Sequence, residues 1–355
     1  MIGMGELFAN EIIRDIEMPR VPTTESELKL SSIEKGDLLF ARQSLTLEGA
    51  GKCSLVKEVT EPTVFESHII RCRVNKSLVL PEYLYYYFRS RFGRYKIECI
   101  VEQVAAAGIR GKDLIKIEIP VPDMQTQRGI VDCLSILDEK IHYNSLINDN
   151  LEQQASSLLS DWISTYPCRT YKLSDICKYA NAKCETGNLT PQNYISTENM
   201  LPNKKGIVEA SNIPTGKATC FKVDDILIAN IRPYFQKIWK ADINGGCSAD
   251  VLCIRANIES HSPILYWLLH QDAFFEYVMT GAKGCKMPRG DKQHIMNWSI
   301  DLPEVQYWAD LATQLGSIDQ QIAYNRIESI NLSNLRDTLL PKLMSGEIKI
   351  NEIDC

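Results

Sequence analysis

The chain has 355 residues, 45% hydrophobic, 24% charged and 8% aromatic, which suits two or three globular domains and excludes wholesale disorder. No stretch approaches 18 apolar residues and the N-terminal MIGMGELFANEIIRDIEMPR is broken by acids, so neither a membrane span nor a signal peptide is expected. The formal net charge of −6 argues against indiscriminate binding of nucleic acid by a uniformly basic chain, although it averages over faces of opposite sign.

In chain order, Gly36-Asp37-Leu38-Leu39-Phe40-Ala41 reads as a short buried strand. Gly49-Ala50-Gly51-Lys52-Cys53 falls short of a phosphate-cradling loop, because Thr46 stands at the first required Gly and Cys53 replaces Ser/Thr. It reads as a flexible surface turn. Pro81-Glu82-Tyr83-Leu84-Tyr85-Tyr86-Tyr87-Phe88 opens a helix at proline. Ile117–Pro122 is an extended run ending at proline. A 3-4 apolar spacing then follows through Leu134, Leu137, Ile141, Asn144, Asn148, Leu151, Ala155, Leu158 and Trp162, a long helix with a heptad seam.

The pattern then recurs. Asp224–Ala229 resembles Gly36–Ala41, Pro263–His270 resembles Pro81–Phe88, and Trp298–Pro303 resembles Ile117–Pro122. Met1–Met4 resembles Tyr194–Thr197. The second helical seam runs through Leu315, Ile318, Ile322, Asn325, Ser329, Leu332, Arg336, Leu339 and Leu343. Over 42 ungapped positions from Pro122 and Pro303, at a constant offset of 181, Pro, Gln, Leu, Asp, Ile, Tyr and Asn residues recur identically. The duplication predicts an α+β chain ordered globular half, helix, globular half, helix. The shared Asn144 and Asn325 predict that the two helices pair with each other in a fixed register. Tyr171–Asn193 has no counterpart before Met1, so the first half is expected to be short at its start.

Catalytic chemistry is not evident. The twelve cysteines are scattered without a CxxC pair, and the five histidines form no HxxxH pattern, so no metal site is expected. Reduced thiols serving as small apolar side chains in a cytoplasmic protein fit better. Asn230–Phe235 is a poor match to the base-holding Asn-Pro-Pro-Tyr loop of adenine methyltransferases, and no Gly-rich cofactor loop accompanies it. Asp15, Glu27 and Lys29 fit a nuclease spacing so loose that chance supplies it.

Local positive charge is the stronger signal. Arg89–Lys116 carries seven basic and three acidic residues, and Lys283, Lys286, Arg289 and Lys292 surround only Asp291. Arg232, Lys237 and Lys240 interleave with Tyr234, Phe235 and Trp239. Arginine suits bidentate contact with guanine and lysine suits phosphate. The candidate DNA contacts are Arg42, Lys52, Arg110, Lys112, Arg232, Lys237, Lys283, Lys286, Arg289 and Lys292. The candidate helix-pairing residues are Leu134, Leu137, Ile141, Asn144, Leu151 and Leu158 on one helix, and Leu315, Ile318, Ile322, Asn325, Leu332 and Leu339 on the other.

The duplicated plan, the Gly-Asp-Leu-Leu-Phe element, the Pro-x-Pro and Leu-Pro-x-x-Gln lead-ins to the long helices, and the terminal Leu-Leu-Pro-Lys-Leu-Met-Ser-Gly-Glu-Ile resemble the specificity (S) subunits of type I restriction-modification systems. The resemblance implies target-recognition domains at 1–122 and 167–303, each reading half of a split double-stranded DNA site. It implies spacer helices at 123–166 and 304–355 that pack as an antiparallel coiled coil and dock two methyltransferase (M) subunits. It further implies a non-catalytic, cytoplasmic chain with no cofactor of its own and no membrane partner. S-adenosylmethionine, ATP and Mg would belong to the M and restriction (R) subunits. The alternative from a different class is a helical adaptor whose duplicated domains bind proteins.

Overall fold

Two four-residue strands with no exposed side chain, Leu38–Ala41 and Ile226–Ala229, organise the two halves of the chain. The computed structural model describes residues 1–103 and 106–349, so Cys355 and the end of the 304–355 segment lie outside the described residues. The chain divides into a first unit, Met1–His142 with the chain from Ser329 on, and a second unit, Tyr143–Glu328.

In the first unit, Leu38–Ala41 lies between Cys53–Val56 and Ile69–Cys72, antiparallel to both, and Ile12–Ile13 adds an outer parallel strand. Its apolar run is continuous because both faces are covered. Leu38 and Phe40 join a core with Tyr83–Phe88, whereas Leu39 and Ala41 join one with Ile2, Leu7 and Ile13. This is the two-residue alternation of a strand, with apolar side chains required on each side.

The second unit repeats the arrangement. Ile226–Ala229 lies between Ile238–Lys240 and Val251–Ala256, antiparallel to both, but the outer strand differs: Cys177–Tyr179 adds on antiparallel beside Val251–Ala256, the opposite edge from that taken by Ile12–Ile13 in the first unit. Ile226 and Ile228 face one core with Leu265 and Phe274, and Leu227 and Ala229 face another with Trp239 and Cys253. Ile2 bridges Phe65 in parallel, and Ile195 pairs with Cys247 in parallel.

The long helices span Met124–Thr165 (42 residues) and Trp308–Ser345 (38 residues), about 63 and 57 Å at 1.5 Å per residue. Within the first unit Leu134, Leu339, Leu340 and Leu343 share one apolar cluster. Within the second, Ala155, Leu158, Leu159 and Trp162 share one with Trp308, Leu311, Leu315 and Ile318. Of the seam positions, Leu134, Asn144, Leu315, Ile318 and Asn325 are buried; Leu137, Ile141, Leu151, Leu158, Ile322, Leu332 and Leu339 are half-buried.

One local expectation needs correction. Gly49–Gly51 is buried rather than a surface turn: Gly51 donates to the Ala41 carbonyl at 2.8 Å, and at φ +69° a Cβ there would meet Ile97 at 2.4 Å. The Asp15, Glu27 and Lys29 grouping is local structure, as its loose spacing suggests. Glu27 closes a capping box with Thr24 at the start of Glu25–Ser31, and Asp15 accepts from Thr60.

Candidate nucleic-acid interface

Each central strand ends in the same junction. Past Ala41, Arg42 donates its N–H to the His68 carbonyl at 2.8 Å and accepts from the Ile109 N–H at 2.9 Å. Past Ala229, Asn230 donates to the Asp250 carbonyl at 2.8 Å and accepts from the Gly290 N–H at 3.2 Å. Three chain segments meet at each strand end, and the predicted cations are distributed around them.

In the first unit Arg42, Arg110 and Lys112 are exposed. Arg42 reaches the Ser67 carbonyl at 3.4 Å, and Arg110 pairs with Glu102. Lys52 turns inward, donating to the Phe8 carbonyl at 2.9 Å with its amine 5.6 Å from the Phe8 ring. The basic stretch around Arg89 is not one face. Arg89 reaches Tyr85 and Glu11, both at 2.6 Å, and Arg94 donates to the Leu47 and Ala50 carbonyls at 2.9 and 2.8 Å.

In the second unit Lys283, Lys286, Arg289 and Lys292 are exposed. Lys283 pairs with Asp291 at 2.7 Å, Arg289 pairs with Asp250 at 3.1 Å, and Lys292 lies 5.7 Å over Tyr179. The Asp291 carboxyl titrates at about 2, held down by Lys283 and by the backbone N–H groups of His294 and Gln293, whose helix it caps. Arg232 is half-buried and left-handed (φ 52°), donates its N–H to the Pro288 carbonyl at 2.8 Å, and encloses Nε without a partner. Lys237 turns inward to the Thr197 carbonyl at 2.7 Å, and burial lowers its pKa. The structure therefore gathers Arg42, Arg110 and Lys112 in one unit and Arg232, Lys283, Lys286 and Arg289 in the other. Lys52 and Lys237 are taken up by backbone carbonyls.

Cation counting passes over what stands at the loop tips. Leu45 is 98% exposed and Leu47 37% between Leu38–Ala41 and Cys53–Val56; Tyr234 is 50% exposed and Phe235 37% between Ile226–Ala229 and Ile238–Lys240. A shared strand-loop-strand position is the signal that finds them. Among the described residues no cluster of His, Cys, Asp and Glu fits a metal ion, and no helix is long and apolar enough to cross a membrane. Burial pushes the Cys177 thiol up to about 12, away from nucleophilic reactivity.

Residues 14–153 match the family of the type I restriction modification DNA specificity domain. The chain is similar to the type I restriction enzyme MjaIX specificity subunit of Methanocaldococcus jannaschii, 23% identical over 79% of this chain and 72% of that protein. It is similar to the EcoKI specificity subunit of Escherichia coli, 28% identical over 48% of this chain and 33% of that protein. In fold it resembles the type I restriction-modification S subunit from M. genitalium, with a TM-score of 0.52 at 16% identity, covering 94% of this chain and 88% of that one. Residues 14–153 thus match the type I restriction modification DNA specificity domain, and the chain over most of its length is similar to type I specificity subunits.

Proposed function

We propose that this chain is the non-catalytic DNA-recognition subunit of a type I restriction-modification complex, working in the cytoplasm. Each half reads one half of a split duplex site through the loops at the end of its central strand. The observation that carries the reading is the repeated junction, Arg42 with Ile109 and His68 in one half, Asn230 with Gly290 and Asp250 in the other. It gives two loop clusters of the same construction but different side chains, which is what two different half-sites require.

The long helices act as an antiparallel coiled-coil spacer. Asn144 with Asn325, and Trp162 with the Tyr307 carbonyl at 2.9 Å, support that chain sense. A helical spacer suits the task because half-sites must keep a fixed separation along a duplex rising 3.4 Å per base pair. The surfaces away from the loops dock two M subunits and, through the complex, the R subunits. S-adenosylmethionine, ATP and Mg are bound there, not here. Residues 1–122 and 167–303 form the recognition domains, and 123–166 and 304–355 the spacer.

The test is to map methylated bases in DNA from cells co-expressing this chain with its M subunit. A bipartite methylated motif is expected, and inserting one heptad into each long helix should change its spacer while both half-sites persist. An unchanged spacer would overturn the helical ruler. Absence of any motif, together with salt-insensitive association with other proteins, would favour the adaptor reading.

A further inference from the structure

The loops that leave the two central strands share more than their place in the fold. Both carry side chains that water does not favour, held outward. In the first unit the tip holds Leu45 and Leu47; in the second it holds Tyr234 and Phe235, with ring centroids 4.7 Å apart. Single exposed apolar residues need no explanation, but matched pairs on equivalent loops of a duplicated chain do.

Both loops are also fixed in shape. Arg232 and Gln236, both left-handed at φ 52° and 50°, bracket the turn Pro233–Phe235. Asn203 and Lys204, left-handed as well, donate their N–H groups to the Phe235 and Gln236 carbonyls at 2.8 and 2.9 Å. Four of the five left-handed non-glycine residues among the described residues thus meet at this one turn. Such conformations are unfavourable and persist where the surrounding structure imposes them, often at functional sites. In the first unit the Arg94 guanidinium holds the Leu47 and Ala50 carbonyls, and Gly49 donates its N–H to Thr46 at 3.2 Å.

The junction at the base of each tip carries exposed cations, Arg42, Arg110 and Lys112 in one unit and Lys286 and Arg289 in the other, of which Arg110 and Arg289 pair with Glu102 and Asp250. A rigid apolar point within a basic rim fits a polyanion with an apolar interior, the stacked bases of duplex DNA. A protein partner would have to meet that rim with acids. We propose that the two loops are wedges that enter base steps of the duplex, Tyr234–Phe235 in one half-site and Leu45–Leu47 in the other, unstacking a step and bending the DNA. Side chains of both kinds insert between base steps in proteins that kink DNA. The inference rests on the DNA-recognition reading above and adds a deformation to it, so sequence preference would come partly from how easily a step opens.

The test uses the full chain in complex with its M subunits and duplexes carrying the motif found by methylation mapping. 2-Aminopurine is placed singly at steps other than the methylated adenine. The wild-type complex should brighten the probe at one step in each half-site. Tyr234→Ser with Phe235→Ser should abolish the brightening in one half-site only and weaken binding on the order of tenfold; Leu45→Ser with Leu47→Ser should do so in the other. Phe235→Leu, which keeps an apolar tip, should retain the signal and guards against loss by misfolding. Motif-specific binding by wild type with no brightened step, or serine variants with undiminished brightening and affinity, would overturn the wedges. A wild-type complex that binds no motif would overturn the recognition reading itself and the wedges with it.

Discussion

The hydroxyl of Tyr86 donates to the carboxylate of Asp138 at 2.7 Å, and the indole N–H of Trp267 makes the same bond to Asp319 at 2.8 Å. Each bond ties the proline-opened helix of its unit to a long helix. The second oxygen of each carboxylate meets a cation, Arg336 on Asp138 at 2.7 Å and Lys240 on Asp319 at 2.6 Å. The donors differ while the acceptor stays, because a carboxylate buried at these positions must be neutralised and hydrogen-bonded.

Removing either aspartate should therefore cost more than an average core substitution. Asp138→Ala and Asp319→Ala each strand a buried cation and a buried donor, with an expected loss of about 3–5 kcal/mol. Tyr86→Phe removes one bond and should cost about 1–3 kcal/mol. Urea unfolding of the purified chain measures both. A loss below that of Tyr86→Phe in the aspartate variants would show that the carboxylates are not the anchors.

A second prediction concerns the polar place in the helical seam. Asn144 Nδ2 donates to the Asn325 carbonyl at 3.3 Å and to Glu328 at 2.7 Å, and Asn325 Nδ2 donates to Asn148 at 2.8 Å. Asn144 thus meets the main chain of its counterpart, and the Asn325 side chain reaches Asn148 one turn further along the facing helix. Asn325→Leu alone should destabilise by about 1–3 kcal/mol by stranding its partners. Adding Asn144→Leu should recover part of that loss, with a coupling energy of about 0.5–3 kcal/mol in a double-mutant cycle. Strict additivity of the two changes would show that the asparagines do not act together.

A third prediction concerns a feature that the sequence concealed. Arg73 grips buried Asp37 through Nε and Nη2, both at 2.7 Å, and Arg255 grips buried Asp225 in the same way, both at 2.6 Å. Each aspartate also accepts from a backbone N–H three residues earlier, Glu34 and Lys222 respectively, at 2.8 Å. Lysine cannot reproduce a two-pronged grip. Arg73→Lys and Arg255→Lys should each lower the thermal midpoint despite keeping the charge. A midpoint unchanged in both would show that charge alone suffices.

The contrast shows what a sequence can and cannot carry. The long helices were legible because a 3-4 spacing over about forty residues leaves few alternatives, and Leu38–Ala41 because an unbroken apolar run so short suits a doubly covered strand. The Asp37–Arg73 and Asp225–Arg255 pairs were not, because the partners lie 36 and 30 residues apart and neither spacing is periodic. The candidate interface was half legible. Counting cations finds Arg42 and Lys286 but equally Lys52 and Lys237, since composition cannot say which amines a backbone carbonyl will capture. The tips Leu45 and Phe235 were hidden by the usual expectation that apolar residues face the core.

The last prediction is a pH dependence with a defined sign. His270 is buried, and its Nε2 has no hydrogen-bond partner. Burial lowers its pKa from 6.5 to about 3; nearby Lys204 and Lys205 act in the same direction and Asp272 against it. The folded chain thus keeps His270 neutral where the unfolded chain protonates it. The stability that the neutral ring contributes is fully present above 6.5 and is lost as pH falls toward 3. One extra proton on the unfolded chain corresponds to about 1.4 kcal/mol per pH unit, hence a loss of about 2 kcal/mol by roughly pH 5. His270→Leu should flatten the stability profile between about pH 5 and 6.5, where few carboxylates titrate. Equal slopes for wild type and His270→Leu across that window would show that this ring is not what couples folding to protons.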